Sequence, residues 1–184
     1  MPIWLIVILG VVAVILIWFI GVYNSLVGSR NKVKNQFSQI DVQLKKRFDL
    51  IPNLVETVKG YAKHESETLE AVMKARASYA SATTDSEKVE ASNEMTKAVS
   101  RLLAVAEAYP DLKANTNFLD LQQQLKEIED KISYARQFYN DAVMVYNNKI
   151  QVIPSNIVAG ICGFKAEKLF EAAAEERENV KVEF

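Results

Sequence analysis

The chain begins with a long apolar run and continues with apolar positions at helical spacing. From Ile3 to Val22 there is no charged side chain, and only Gly10 and Gly21 fall outside the apolar set. As a helix this run is ~30 Å long, which matches the hydrocarbon core of a bilayer. We therefore predict an N-terminal membrane anchor over residues 1–22.

The flanks of this run favour an uncleaved anchor over a secretory signal peptide. A signal peptide has a basic n-region, a shorter apolar region and a cleavage site of small residues. Here only Met1 and Pro2 precede an apolar run that is too long for that role. Amphipathic aromatic rings favour the two membrane interfaces. We predict that three residues are membrane-interface anchors: Trp4, Trp18 and Tyr23.

Downstream, apolar residues recur in steps of three, four or seven, which is helical spacing. Polar connectors at Ser81–Ser86 and Tyr109–Asp111 separate the helical segments, and Asp85 and Ser86 are N-cap candidates. The sequence therefore predicts an all-α protein: one transmembrane helix, then an antiparallel up-and-down bundle of long helices over residues 23–153.

Pro52 leaves two architectures open, because proline has no amide donor and its ring clashes with the preceding turn. If the chain reverses at Pro52, four helices share a core. If the helix only kinks there, a three-helix bundle stands on a helical stalk. The apolar stripe of that stalk, Leu26 to Ile51, must then be covered by another copy or a partner.

Residues 154–184 form a third predicted region. Val158 to Phe164 is apolar but too short to span a bilayer. The tail that follows Phe170 is rich in Glu. We predict a short apolar segment followed by an acidic C-terminal tail.

Charge gives an orientation. No basic side chain precedes the apolar run, whereas Arg30, Lys32 and Lys34 follow it. Basic residues beside a span stay cytoplasmic, so we expect a single-pass protein of the cell (inner) membrane, with its N-terminus outside and its bundle in the cytoplasm. The formal net charge of -1 and the lack of a basic stripe with aromatic residues argue against nucleic-acid binding.

Candidate catalytic chemistry is sparse. His64 lies near Glu65 and Glu67, but it is the single histidine, and a di-iron bundle needs Glu-x-x-His pairs on two helices. The single cysteine, Cys162, lies between Ile161 and Gly163, which is typical of a small buried apolar residue. We predict no catalytic residue, no metal site and no cofactor.

Within the run from Asn31 to Glu65, charged residues are densest around Pro52. They either pair along the helix and cap it, or form a contact surface for a partner or a second copy. The candidate interaction surface consists of Asp41, Lys45, Arg47, Asp49, Pro52 and Asn53.

Several motifs give the chain a resemblance to the LemA family of bacterial membrane proteins. They are Y-N-S-L-V from Tyr23, the run from Asn31 to Glu65 that contains K-K-R-F-D-L-I-P-N-L-V, A-Y-P-D-L-K-A-N-T-N-F from Ala108, Y-A-R-Q-F-Y-N-D-A-V from Tyr134, and I-V-A-G-I-C-G-F-K from Ile157. The resemblance implies a short extracytoplasmic N-terminus, one membrane helix, a soluble helix bundle and no enzymatic activity. Relatives in specialised membrane organelles suggest scaffolding.

These observations lead to two functional hypotheses. The first is a membrane-anchored, non-enzymatic scaffold that self-associates or docks an unidentified protein partner at the bilayer surface. The second is a regulatory adaptor or sensor that couples the state of the envelope to an intracellular partner through a kink at Pro52.

Overall fold

The computed structural model describes residues 2–62 and 64–170, and the secondary structure in this part of the chain is helical. The predicted all-α class is confirmed. The predicted acidic tail lies outside the described residues. The elements are α1 (Ile3–Tyr61), α2 (Ser66–Ser81), α3 (Asp85–Ala106), α4 (Pro110–Lys113), α5 (Thr116–Gln151) and α6 (Ser155–Ile161).

Helix α1 is 59 residues long and contains the whole apolar run. By length and composition it could cross a membrane, and none of its most apolar window is buried within the protein. The N-terminal part of α1 thus has the properties of a membrane anchor. The helix continues through residue 22 without a break, and the domain boundaries at residues 22 and 153 stay predictions.

The described chain divides into two compact units. We call the first the anchor unit; it comprises residues 2–39 and 135–170. We call the second the bundle unit; it comprises residues 40–134, with residue 63 outside the described set. Each is described separately below.

The bundle unit has a continuous apolar core to which α1, α2, α3 and α5 all contribute. The chain does not reverse at Pro52, because α1 continues to Tyr61. Four long helices nevertheless share the core, the short helix α4 adds Leu112, and α2 begins only at Ser66. The core residues are Ile51, Leu54, Val55, Val58, Ala62, Leu69, Val72, Ala75, Met95, Val99, Leu102, Ala106, Leu112, Phe118 and Leu125.

The alternative of a stalk covered by another copy is wrong. Leu26, Ile40, Leu44 and Ile51 of the predicted stripe are each at most 1% exposed within the single chain. The chain covers this stripe itself, so the stripe gives no reason for self-association.

Helix α3 is capped one residue earlier than predicted. The N-cap is Thr84, not Asp85 or Ser86. The hydroxyl of Thr84 accepts a hydrogen bond from the amide of Glu87, and the Glu87 carboxylate accepts one from the amide of Thr84 in return. A further amide, that of Thr83, also donates to this carboxylate. These bonds from Thr83 and Thr84 lower the pKa of Glu87 to about 2.

In the anchor unit, α1 and α5 run antiparallel. Near one end Lys149 donates to the hydroxyl of Ser29 over 2.7 Å, and farther along the Phe37 and Tyr139 rings meet edge to face with centroids 5.8 Å apart. From the first contact to the second, the residue number rises from 29 to 37 on α1 and falls from 149 to 139 on α5, as in an antiparallel pair. Helix α6 follows a short turn after α5 and packs onto Leu26.

Residues 164–170 follow α6 as an extended segment bound along α5. Two Tyr-Asn pairs, seven residues apart, hold its backbone. Asn147 donates to the Glu167 carbonyl and accepts from the Glu167 amide, at 2.9 and 3.0 Å. Asn140 does the same for Phe170, at 3.0 and 2.7 Å. The hydroxyls of Tyr146 and Tyr139 donate to the carbonyls of Lys165 and Lys168. We call this arrangement the Tyr-Asn clamp.

Candidate functional site

A groove of about 500 Å³ lies between α1 and α2, beside the proline of the predicted contact surface. Val55 and Leu69 supply its buried apolar part, and the Met73 side chain is 40% exposed at its edge. Three charged side chains border it. We call it the α1–α2 groove, lined by Pro52, Val55, Glu56, Lys59, Ser66, Leu69, Glu70 and Met73.

At Pro52, inside α1, a side chain from α2 takes the place of the missing backbone donor. Proline at position 52 cannot donate to the carbonyl of Phe48, four residues earlier. The Nε of Arg76 donates to that carbonyl over 3.3 Å. Its guanidinium also lies over the Phe48 ring, 4.0 Å from the centroid. Arg76 therefore fixes the wall of the groove on the side of Pro52.

Arg47 lies in the interior and is not part of a contact surface, since its side chain is 0% exposed. Its Nη1 donates to the Thr96 hydroxyl and to the Glu129 carboxylate, each over 2.7 Å. Its Nη2 donates to the carbonyl and the hydroxyl of Ser92, over 3.0 and 2.8 Å. Buried charges are tolerated when they are paired and hydrogen-bonded, and this guanidinium joins α1 to α3 and α5.

Asp41 is the centre of a second polar cluster. It accepts hydrogen bonds from Lys88 over 3.0 Å and from the Tyr79 hydroxyl over 3.3 Å. Burial, together with the nearby Asp41 carboxylate, raises the pKa of Tyr79 to about 12. The phenol therefore stays protonated and remains a donor. Asp41 thus links α1 to α2 and α3.

The remaining predicted residues of the surface are accessible. Lys45 and Asp49 form an exposed pair, with Nζ 3.3 Å from Oδ1. Asn53 is exposed, and its backbone carbonyl accepts from the Thr57 hydroxyl. Pro52 is partly exposed in the α1–α2 groove. The predicted surface thus separates into a buried arginine and an accessible set around Pro52.

The predicted interface aromatics lie on the exposed surface of α1. Trp4, Trp18 and Tyr23 are all exposed, and the Tyr23 ring meets Phe164 edge to face at 5.8 Å. Their position relative to a bilayer stays a prediction.

Sequence reasoning missed the residues that complete these clusters. Arg76, Ser92, Thr96 and Glu129 lie 28 to 82 positions from the α1 residues they contact. Helical periodicity relates only positions three or four apart, so it carries no signal for such contacts.

The two residues considered for metal binding and thiol chemistry, His64 and Cys162, lie on the surface of the protein. His64 and Cys162 are both exposed, and Cys162 is a free thiol, so its predicted burial is wrong. Within residues 2–62 and 64–170, no group of three or more His, Cys, Asp or Glu side chains is placed to hold a metal ion.

Several known proteins have sequences similar to this chain. A protein LemA of Metamycoplasma hominis is 27% identical over 163 residues, which cover 88% of this chain and 74% of that protein. Magnetosome protein MamQ 2 of Paramagnetospirillum magneticum is 38% identical over 74 residues, or 40% of this chain. Magnetosome protein MamQ of Magnetospirillum gryphiswaldense is 32% identical over 73 residues. Each of these two matches covers 27% of the length of the magnetosome protein.

The family comparison covers most of the chain. The sequence profile of the LemA family matches residues 36–184. This range includes Pro52, Arg76, the buried Arg47 and the Tyr-Asn clamp. The chain therefore belongs to the LemA family.

Proposed function

We propose that this protein is a membrane-anchored, non-enzymatic scaffold that docks a protein partner in the α1–α2 groove at the cytoplasmic surface of the inner membrane. The observation that carries the proposal is that one helix, α1, supplies both the apolar membrane segment and a wall of an accessible apolar groove. A protein held at a bilayer meets other membrane-bound proteins at high effective concentration.

The chemistry of the groove suits an amphipathic helix of the partner. Its floor accepts apolar side chains, while Glu56, Lys59 and Glu70 at its border offer charges of both signs. Helix-in-groove recognition combines apolar anchors with such a polar rim. Self-association through the same groove is the second form of this proposal.

Site-specific photocrosslinking tests the groove. A photoreactive amino acid replaces Lys59 in the full-length protein in its native cells. We expect a discrete crosslinked product that Met73→Glu abolishes and that Leu119→Glu leaves unchanged, since Leu119 is also exposed but does not line the groove. The mass of the product distinguishes a second copy from another protein. Absence of a product, or a product insensitive to Met73→Glu, would contradict docking at this groove.

The orientation has its own test. Arg30, Lys32 and Lys34 follow the span and support a cytoplasmic bundle. A cysteine at the exposed Ser81, in a Cys162→Ser background, should react with a membrane-impermeant maleimide only after the cells are permeabilised. Labelling in intact cells would contradict the cytoplasmic location of the bundle and would place it on the outer side of the membrane.

The adaptor or sensor that works through Pro52 is the alternative function. It requires movement at Pro52, where the hydrogen bond from Arg76 to the Phe48 carbonyl links α2 to α1. Pro52→Ala separates the two functions, because a scaffold tolerates a regular helix there and a switch does not. Retention of the Lys59 crosslink together with loss of a cellular response would favour the sensor.

A further inference from the structure

Helix α6 presents an apolar outer face. Ile157 and Ile161 of this helix are four residues apart and are 56% and 71% exposed, and Ile153 in the turn before the helix is 81% exposed. The opposite face is apolar as well, because Val158 and Ala159 are buried in the anchor unit. A helix that is apolar on both faces is typically buried on both, either in a protein core or in a membrane.

The chain around α6 carries no charge. From Val152 to Phe164 there is no Asp, Glu, Lys or Arg, and lysines flank the stretch at Lys149 and Lys165. Lysines at the two ends of an apolar segment keep their charges in water or at the headgroups while their stems cover apolar surface.

Contacts with α1 set the depth of α6 relative to the apolar run. Val158 and Ala159 form a cluster with Leu26, and Phe19 and Val22 pack against the same cluster. Phe19 and Val22 belong to the last turn of the apolar run, and Leu26 follows Val22 by four residues, ~6 Å of helix rise. Helix α6 is therefore level with the end of the segment that is apolar enough to cross the membrane.

The charge of the anchor unit agrees with a lipid surface. Its described residues include seven Lys and Arg but two Asp and Glu, and residues 1–39 contain no acidic side chain. The guanidinium of Arg30 lies 5.1 Å from the centroid of Phe164, a residue that packs against the same cluster as Val158 and Ala159 of α6. Basic side chains beside a membrane are attracted to anionic headgroups by ~1 kcal/mol each.

We propose that α6 and the turn before it insert their apolar face into the headgroup and acyl boundary of the leaflet where α1 leaves the bilayer. This interfacial contact rests on the proposed membrane anchorage. A second copy is the less suitable occupant of this face, because a stable protein interface buries about 800 Å² per partner. The outer face of a seven-residue helix does not approach that area.

Fluorescence depth measurements test this contact in the full-length protein. In a Cys162→Ser background, one cysteine at a time is placed at Ile157, Phe138 or Val12 and labelled with a polarity-sensitive dye. The proteins are reconstituted into phosphatidylcholine–phosphatidylglycerol vesicles that contain shallow or deep nitroxide lipids. Phe138 is a matched control: its exposed fraction is 59%, and it precedes the end of α5 by ~20 Å of helix rise.

We expect the emission maximum of the dye at Ile157 to be blue-shifted relative to that of the dye at Phe138. The shallow nitroxide lipid should quench the Ile157 dye strongly. Aqueous iodide should quench it several-fold less than it quenches the Phe138 dye. A label at Ile161 should repeat this result. Circular dichroism verifies that each variant is folded.

Three outcomes would overturn the proposal. If the Ile157 dye behaves like the Phe138 dye while the Val12 dye is quenched by the deep nitroxide, α6 is in water although the anchor is correct. If the Ile157 dye is protected from both iodide and lipid nitroxides, protein covers the face. If the Val12 dye is not quenched by lipid, the membrane anchorage fails as well.

Discussion

Arg76 donates a hydrogen bond from Nε to the backbone carbonyl of Phe48, the acceptor that Pro52 leaves free inside α1. The bond comes from another helix, so α2 satisfies a carbonyl that α1 cannot satisfy itself. A buried carbonyl without a partner costs about 1 to 3 kcal/mol, which makes this contact significant for the stability of the bundle unit.

Arg76→Ala should therefore destabilise the bundle unit by about 1 to 2 kcal/mol, through loss of the hydrogen bond and of the contact with the Phe48 ring. The effect should shrink when Pro52 is also replaced by Ala, because the restored amide can donate to the Phe48 carbonyl. Urea unfolding of the four proteins of this double-mutant cycle measures the coupling. Equal losses in both backgrounds would show that Arg76 does not replace the missing donor.

Pro52 and Arg47 show what the sequence could predict and what it could not. Periodicity identified the apolar face of α1 and the interruption at Pro52, since both are local properties. The carbonyl that Pro52 leaves free is satisfied by Arg76. The buried charge of Arg47 is satisfied by Ser92, Thr96 and Glu129. Those partners come from distant parts of the chain, so the continuation of α1 to Tyr61 and the interior position of Arg47 could not be predicted from local spacing.

Arg47 and Lys45 allow a controlled comparison of two variants, because both are basic residues of α1, Arg47 is buried and Lys45 is exposed. Arg47→Ala removes two hydrogen bonds to Ser92 and the ion pair with Glu129. It should destabilise the protein by about 1.5 to 3 kcal/mol, since Glu129 is 34% exposed and stays in contact with water. Lys45→Ala removes one exposed pair with Asp49 and should cost less than about 1 kcal/mol. Chemical denaturation in detergent measures both values. Similar losses for the two variants would contradict an interior role for Arg47.

The capping box of α3 gives the protein a predictable response to acid. The amides of Thr83 and Thr84 donate to the Glu87 carboxylate and lower its pKa from 4.5 to about 2. A lowered carboxyl pKa contributes stability that is complete above the unfolded value and is lost as pH falls toward the folded value. Glu87→Gln should therefore weaken the pH dependence of stability between pH 4.5 and 2.

Thermal unfolding across this range checks the prediction for Glu87. Glu90→Gln is the control, since Glu90 is an exposed residue of the same helix that lies beyond the first turn. The Glu90 variant should follow the wild-type curve. If the Glu87 and Glu90 variants respond to acid alike, the capping carboxylate is not a source of acid sensitivity.

The spacing of the Tyr-Asn clamp explains why it recognises an extended backbone. Asn140 and Asn147 are seven residues apart on α5, ~10 Å at the rise of a helix. Glu167 and Phe170 are three residues apart, also ~10 Å at the rise of an extended chain. Each asparagine therefore meets a backbone amide and carbonyl of the extended segment. Because the clamp bonds to backbone atoms, the side chains of that segment give no sequence signal for it.

The clamp should protect two particular amides from hydrogen exchange, those of Glu167 and Phe170, because each donates to an asparagine Oδ1. Asn147→Ala removes both bonds to Glu167, and a local loss of about 1 to 3 kcal/mol should lower protection of that amide by about 5- to 150-fold. Asn148→Ala, a change at the adjacent exposed residue, should leave protection unchanged. Hydrogen exchange with residue-level resolution measures both variants. Unchanged protection at Glu167 in the Asn147 variant would mean that the segment is held mainly by the tyrosines and by the burial of Phe170, and not by the paired asparagine bonds.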